Sequence, residues 1–386
     1  MPGVSFSDNG GMTSASHSSD SAEPFEGLRI RGVAKTFGTD TTVLNEIDLD
    51  VHPGELISLV GSSGTGKSTL LRIIAGLEEP SAGRVTYAGQ PLERGSVGVV
   101  FQRPILYPHL SVKDNILFPT RLGAFAGRVD MDYYRELLEA LKLEGLESRK
   151  PSQLSGGQAQ RVGIARALIR RAPVVLFDEP LASVDEEMSA SIRADIVRLH
   201  ERYGFTGLYV THDQNEALML GQRVAVMDAG YLVQVDTPEH LLAHPHTLQV
   251  AKLMAAPALN LVALEDSAVL PAGCQLAIRA TALCPVAADA AHSLPVQVLG
   301  SRHLVGGMLY RARLLEAVSL PLESRRASAD SEPSDRVYAR VRAGQELEFF
   351  IPDAQSGSSL NVGDRVHLGV AAERCFVFSN GKRFYL

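Results

Sequence analysis

The rhythm of apolar and polar positions changes once along the chain, near residue 260. Between residues 28 and 242, short apolar runs alternate with stretches of helical period, which predicts an α/β unit. Residues 55–60 (ELISLV) have the pattern of a buried strand, and residues 69–76 (TLLRIIAG) carry an apolar helical face. Residues 173–180 (PVVLFDEP) form a second apolar strand that ends in two carboxylates. A helix is expected over residues 158–170. Pro238, Pro245 and Pro257 punctuate the region around 243–260, which is expected to be a linker. From Leu261 the pattern turns to short alternating segments, such as 296–299, 336–341 and 366–370, with turn residues between them. That predicts a small all-β domain. Its polar, charged stretch 323–335 is expected to be a hairpin loop. The chain thus divides into a tail over 1–26, an α/β unit over 27–242, the linker over 243–260 and a β-rich unit over 261–386.

Composition narrows the function. A length of 386 residues suggests more than one domain, and 45% hydrophobic with 21% charged residues is the balance of a globular protein. The 37 basic and 44 acidic residues leave a net charge of −7, which argues against a general nucleic-acid binder and against direct binding to anionic lipid. No apolar run approaches the roughly 18 residues needed to cross a bilayer. The first 26 residues, rich in Ser, Gly and Asp, have no apolar core and do not read as a secretory signal. They are expected to be a disordered tail or sequence upstream of the true start. Cys274, Cys284 and Cys375 include no CxxC pair, so neither a metal site nor a disulfide framework is indicated, and a reducing cytoplasm is expected.

The strongest local signal is Gly61-Ser62-Ser63-Gly64-Thr65-Gly66-Lys67-Ser68, followed by Thr69. It fits G-x-x-x-x-G-K-[ST] between a strand and a helix. Glycines let the backbone turn so that successive N–H groups face phosphate oxygens. Lys67 adds a point charge, the Ser68 hydroxyl can ligate Mg²⁺, and the helix that begins here adds its positive end. A phosphate-loop enzyme also needs an acid for the metal, and Asp178 at the end of the second strand is that residue. Glu179, one step further, is placed to polarise an attacking water as general base.

A third run, Leu154-Ser155-Gly156-Gly157-Gln158-Ala159-Gln160-Arg161, resembles the signature motif of ABC transporter ATPases. A serine and two glycines opening a helix suit an anion, although a serine there is also an ordinary N-cap. Other parts of that family appear in order. Gln102 matches the glutamine loop that touches Mg²⁺ and water, Asp185 the D-loop that contacts the other subunit, and His212 the switch histidine. Phe37 matches the aromatic residue that stacks on adenine. Two departures stand out. The D-loop has Ser183 where Asn is more usual, and residues 277–281 (AIRAT) keep Ile-Arg without the following Pro-Glu.

The resemblance implies an α/β P-loop NTPase, with a RecA-like core and a helical subdomain near residues 111–153, followed by an OB-like regulatory domain. It implies ATP and Mg²⁺ as ligands and a homodimer, or a pair with a close paralogue. ATP would lie between Lys67, Ser68, Gln102, Asp178, Glu179 and His212 of one subunit and Ser155, Gly156, Gly157 and Gln158 of the other. It further implies two membrane permease subunits, a solute-binding protein, attachment to the cytoplasmic face of the membrane, and no direct nucleic acid. Residues 106–112 and 256–260 look like segments of sugar-importer ATPases, so a carbohydrate is the expected solute. Importers of polyamine, ferric iron or sulfate are the alternatives, and a soluble ABC ATPase acting on nucleic acid or ribosomes is the alternative of another class.

Overall fold

The computed structural model describes residues 25–121, 129–265, 270–271, 273–322, 337–353, 360–370 and 374–384. The expected tail lies outside these as far as residue 24, as does the hairpin loop expected over 323–335.

The chain first forms β1 (Leu28–Phe37), β2 (Thr41–Val51), β3 (Leu56–Val60), α1 (Lys67–Ile74), β4 (Ala82–Tyr87), β5 (Gln90–Pro91) and β6 (Gly98–Val100). Helices α2 (Val112–Leu117), α3 (Met131–Ala140) and α4 (Gly156–Leu168) come next. Then come β7 (Val174–Asp178), α5 (Glu186–Tyr203), β8 (Thr206–Thr211), α6 (Gln214–Leu220), β9 (Arg223–Asp228) and β10 (Tyr231–Asp236). Two short helices, α7 (Pro238–Ala243) and α8 (Leu248–Leu253), lead into β11 (Leu259–Ala263), β12 (Gln275–Arg279), β13 (Leu283–Val286), β14 (Leu294–Leu304) and β15 (Gly307–Leu314). The chain continues with β16 (Val318–Leu322), β17 (Val337–Val341), β18 (Glu346–Pro352), β19 (Arg365–Val370), β20 (Cys375–Ser379) and β21 (Lys382–Phe384).

The central sheet has the order β10-β9-β3-β8-β7-β6. Its strands run parallel except for β10, which pairs antiparallel with β9. Strands β3 and β8 are buried at every position, which is why they read as unbroken apolar runs instead of alternating ones. Register sets the site. Val60 is opposite Thr211 and Asp178 is opposite Val210, so the carboxyl ends of β3, β7 and β8 finish together. The phosphate loop, the paired acids and His212 all lie at those ends, where open parallel sheets bind ligands. An antiparallel sheet, β2-β1-β4-β5, packs through Leu28, Ile30, Leu44 and Ile47 onto one core with α1. On the other side, α2, α3, α4 and α5 close a second core around Ile116, Leu137, Ile164 and Ile196.

The stretch 243–260 is more ordered than the expected linker, since it holds α8 and the first residues of β11. Val250 and Met254 of this segment pack with Val60 and Val224 of the α/β unit, while Ala251 packs with Ala277, Phe376 and Phe378 of the β-rich unit. Its backbone is pinned as well: Leu248 N donates to Gly381 O at 2.8 Å and Arg383 N donates to His246 O at 2.9 Å. Two apolar faces on one short helix therefore join the units.

Beyond α8 the described residues form strands and a single-turn 3₁₀ helix, the all-β OB-like arrangement expected. A β11-β12-β20-β21 sheet and a β13-β19-β14-β15-β18 sheet share one core that includes Leu276, Val296, Leu347 and Phe349.

Candidate nucleotide-binding site

The loop after β3 is held by its own backbone. Gly64 and Gly66 have φ of 82° and 100°, in the left-handed region that favours glycine. At Gly66 a Cβ would lie 2.7 Å from Leu44 Cδ2 and 2.8 Å from Val43 O, so a side chain is excluded by space as well as by φ. Thr65 Oγ1 donates to Ser62 O at 2.9 Å and closes the turn. The Lys67 ammonium is drawn into the loop, donating to Gly61 O at 2.7 Å and to Ser62 O at 3.0 Å. Only 5% of Lys67 is exposed, and burial lowers its pKa while the charges of Glu179 and Asp178 act to raise it. Ser62, Ser63, Gly64 and Ser68 remain exposed, and Thr69 is half-buried.

Across the sheet, Ser68 Oγ lies 3.5 Å from Asp178 Oδ1. Burial pushes the Asp178 carboxyl up, and the neighbouring Glu179 charge adds to this, against Arg72, Ser68 and Lys67. A hydroxyl and a carboxylate facing one space, with excess negative charge beside them, are the hard oxygen donors that Mg²⁺ takes. Glu179 has φ of 44°, a strained value for a non-glycine residue, and its amide donates to Val210 O at 3.0 Å. This turns its side chain toward His212, whose Nδ1 lies 3.1 Å from Glu179 Oε2.

His212 stands on a buried polar support. Thr211 Oγ1 donates to Glu216 Oε2 at 2.8 Å and Tyr209 OH donates to the same oxygen at 3.1 Å. Arg193 Nη1 is 3.7 Å from Glu216 Oε1, and Asp213 N donates to Thr211 Oγ1 at 3.0 Å. Burial raises the Glu216 carboxyl, which these hydrogen bonds and Arg193 partly offset. Asp213 caps α6, its Oδ1 accepting from Asn215 N and Glu216 N.

The structure therefore brings Lys67, Ser68, Asp178, Glu179 and His212 together. Ser155, Asp185 and Phe37 have contacts of their own. Ser155 caps α4: its hydroxyl accepts from Gln158 N at 3.2 Å while its own N donates to Gln158 Oε1 at 3.0 Å. The serine is thus an N-cap, and it is also exposed beside an open helix end together with Gly156. Gly157 is buried because Met188 of α5 packs against it: a Cβ would lie 2.5 Å from Met188 Cγ. Asp185 caps α5, accepting from Met188 N at 2.9 Å. Gln102 is exposed just after β6, and the preceding Phe101 O accepts from Gln160 Nε2 at 3.2 Å, tying that loop to α4. The Phe37 ring is 43% exposed at the end of β1, with Lys35 Nζ 4.9 Å from its centroid.

Two participants were not read from the sequence. Arg72 lies one turn beyond Ser68 on α1 and acts electrostatically on Asp178; the i, i+4 spacing was the available signal. Asp195 of α5, fully buried, accepts from Arg161 Nε of α4 at 3.1 Å.

The ABC transporter family matches residues 44–182. The chain is 45% identical over 241 residues to the sn-glycerol-3-phosphate import ATP-binding protein UgpC 1 of Rhizobium johnstonii, covering 61% of this chain and 65% of that protein. It is 42% identical over 266 residues to UgpC of Salmonella typhi, covering 66% and 74% respectively. The matched part spans about two thirds of the length of these relatives. Among solved structures the chain is similar to cbiO1 of Clostridium perfringens, described as part of the ABC transporter complex cbiONQ. That likeness has a TM-score of 0.51 and 27% identity, with 57% of this chain and 92% of the other covered.

Proposed function

Because the chain belongs to the ATP-binding proteins of ABC transporters, which hydrolyse ATP, we propose that it energises an importer of a small carbohydrate-like solute, a phosphorylated polyol in particular. The observation that carries the catalytic part is the convergence of Lys67, Asp178, Glu179 and His212 at the carboxyl ends of β3, β7 and β8. The sn-glycerol-3-phosphate named for the relatives supports the solute class.

Lys67 and the amides of residues 61–68 hold the β- and γ-phosphates, and the exposed Phe37 ring takes the adenine. Ser68, Asp178 and Gln102 would hold Mg²⁺, which when bound would supply positive charge to the phosphate oxygens. Glu179 accepts a proton from water as the water oxygen bonds to the γ-phosphorus and the bond to the β–γ bridging oxygen breaks. His212, hydrogen-bonded to Glu179, keeps that carboxylate aimed. Ser155, Gly156, Gly157, Gln158 and Asp185 serve the site of a second copy, because they are exposed or lie at exposed helix starts. Nucleotide then closes a dimer that hydrolysis reopens. The half-exposed helical layer around α2 and α3 receives two permease subunits, which attach the chain to the cytoplasmic face of the membrane. A solute-binding protein completes the importer. Among the described residues no helix is long and apolar enough to cross a membrane.

Glu179→Gln tests the assignment. It should keep ATP affinity within about threefold, lower turnover by at least about 100-fold, and shift the chain to dimers with ATP on size exclusion. Turnover within tenfold of wild type removes Glu179 as the base. Stimulation of the reconstituted complex by sn-glycerol 3-phosphate, and not by polyamine or sulfate, tests the solute.

A further inference from the structure

A cleft of about 610 Å³ lies between the α/β unit and the β-rich unit, and its lining includes none of the nucleotide residues. Its α/β wall is formed by Gln214, Asn215 and Leu218 of α6, with Glu239 and Leu242 of α7. Its β wall contributes Arg279, Arg374 and Phe376. Basic charge is concentrated here. The Arg279 guanidinium lies 5.0 Å from the Phe376 ring centroid, and that of Arg383 lies 4.4 Å from the same centroid. Burial, with the charges of Arg383 and Arg374, pushes Arg279 down to about 10.

Arg279 Nε and Nη2 are buried without a hydrogen-bond partner, and so is Gln214 Oε1 on the facing wall. Orphaned charged donors are among the costliest features a fold can keep. Here Arg279 and Gln214, each with such an atom, line the same cleft. Donors of that charge call for an anion with several acceptor oxygens, whereas the lone amide oxygen calls for a hydroxyl. Glu239 is the carboxylate in the lining, and it sits on the α/β wall with Gln214, across from the arginines.

We propose that this cleft binds a small phosphorylated polyol, the phosphate held by Arg279 and Arg374 and a hydroxyl by Gln214. The ligand thereby bridges the β-rich unit to α6. That helix begins two residues after His212, and its first turn is capped by Asp213 and tied through Glu216 to Thr211. Occupancy fixes α6 against the β-rich unit and so changes the rate of ATP hydrolysis. The binding claim is independent of the transported solute and of the catalytic assignments.

The test is calorimetry on the full chain without nucleotide, using sn-glycerol 3-phosphate, inorganic phosphate and glycerol as probes. The phosphate ester should bind, and Arg279→Gln should weaken it at least about tenfold, with folding checked by circular dichroism. Arg374→Ala, at the exposed rim, should weaken it severalfold without bearing on the core. Gln214→Leu should weaken the ester and leave inorganic phosphate unchanged. No binding of the ester at millimolar concentration, equal binding of glycerol, or affinity untouched by both arginine variants overturns the site. Inorganic phosphate binding as tightly as the ester overturns the polyol assignment. Saturating ester should change ATPase rate at least about twofold in wild type, and Arg374→Ala should need severalfold more ester for the same half-effect; an unchanged wild-type rate overturns the coupling.

Discussion

Asp195 offers the sharpest test of how the two exposed helix starts are held in place. Its carboxylate is fully buried on α5, 3.1 Å from Arg161 Nε and 3.0 Å from Arg161 Nη2 of α4. Arg198 pairs with the other oxygen, and Lys142, just beyond α3, reaches to 3.7 Å. Arg161 also donates to Ser191 Oγ at 2.8 Å. One carboxylate therefore pins α4, which begins at Ser155, to α5, which begins at Asp185. Asp195→Ala leaves the Arg161 charge buried without its partner, and breaking such a pair costs about 3–5 kcal/mol. Arg198 and Lys142 are solvated and add little. At about 2–4 °C per kcal/mol, Tm should fall by roughly 6–20 °C.

Asp195→Asn keeps the shape and one acceptor, so it should cost about 1–3 kcal/mol. The assay is urea unfolding of Asp195→Ala, Arg161→Ala and the double variant. The pair should show a coupling energy of about 2–3 kcal/mol, because the double variant removes the orphaned charge. ATPase kcat should fall more than nucleotide affinity, since Ser155 and Asp185 lose their mutual register while the Lys67 loop is untouched. A cost for Asp195→Ala under about 1 kcal/mol, or additivity within about 0.5 kcal/mol, refutes the reasoning.

Two further outcomes are expected. Lys67→Ala should weaken ATP binding at least about tenfold, read with a fluorescent nucleotide, since one charge-assisted contact is worth about 1.5–3 kcal/mol; unchanged affinity would place the phosphates elsewhere. Glu55 should make stability acid-sensitive: burial alone would raise its carboxyl, but Arg223, at 2.6 and 2.8 Å, and the His52 amide hold it below the ordinary 4.5. A lowered folded pKa means the contribution is complete above the unfolded value and is lost as pH falls through the folded one. Glu55→Gln should therefore cost about 2 kcal/mol at neutral pH, a difference from wild type that shrinks below pH 4.5 in unfolding curves; a gap constant down to acid pH would count against it.

The chemistry legible in the sequence was whatever requires a contiguous run. The phosphate loop, the Asp178-Glu179 pair and the Ser155 turn each need neighbouring residues, so each is visible without a fold. The order within and just before the stretch read as a linker was hidden for a local reason. Pro238 occupies the first turn of α7, where proline costs nothing, so a residue read as a breaker is a starter. Helix α8 is only 6 residues long, too short to display a period, and its two apolar faces have meaning only once both units are present. Asp195 and Arg161 are 34 positions apart, and a mid-helix aspartate carries no mark that separates a buried ion pair from a solvated face. Arg279 was visible only as part of an Ile-Arg dipeptide. The absence of its partner is a property of space.

The helix after the switch histidine links these observations. Glu216 on its first turn accepts hydrogen bonds from Tyr209 and Thr211 at the end of β8, so the position of α6 and that of His212 are set by one carboxylate. The same turn presents Gln214 and Asn215 to the cleft lined by Arg279. A shift of α6 that a ligand in the cleft could cause must either drag the Thr211–His212 segment or break buried hydrogen bonds to Glu216. The second course leaves polar groups unsatisfied in a site closed to water, which costs more per group than the typical net gain from one hydrogen bond. Movement of His212 relative to Glu179 is then the less costly response, and their 3.1 Å contact is the quantity an effector would change.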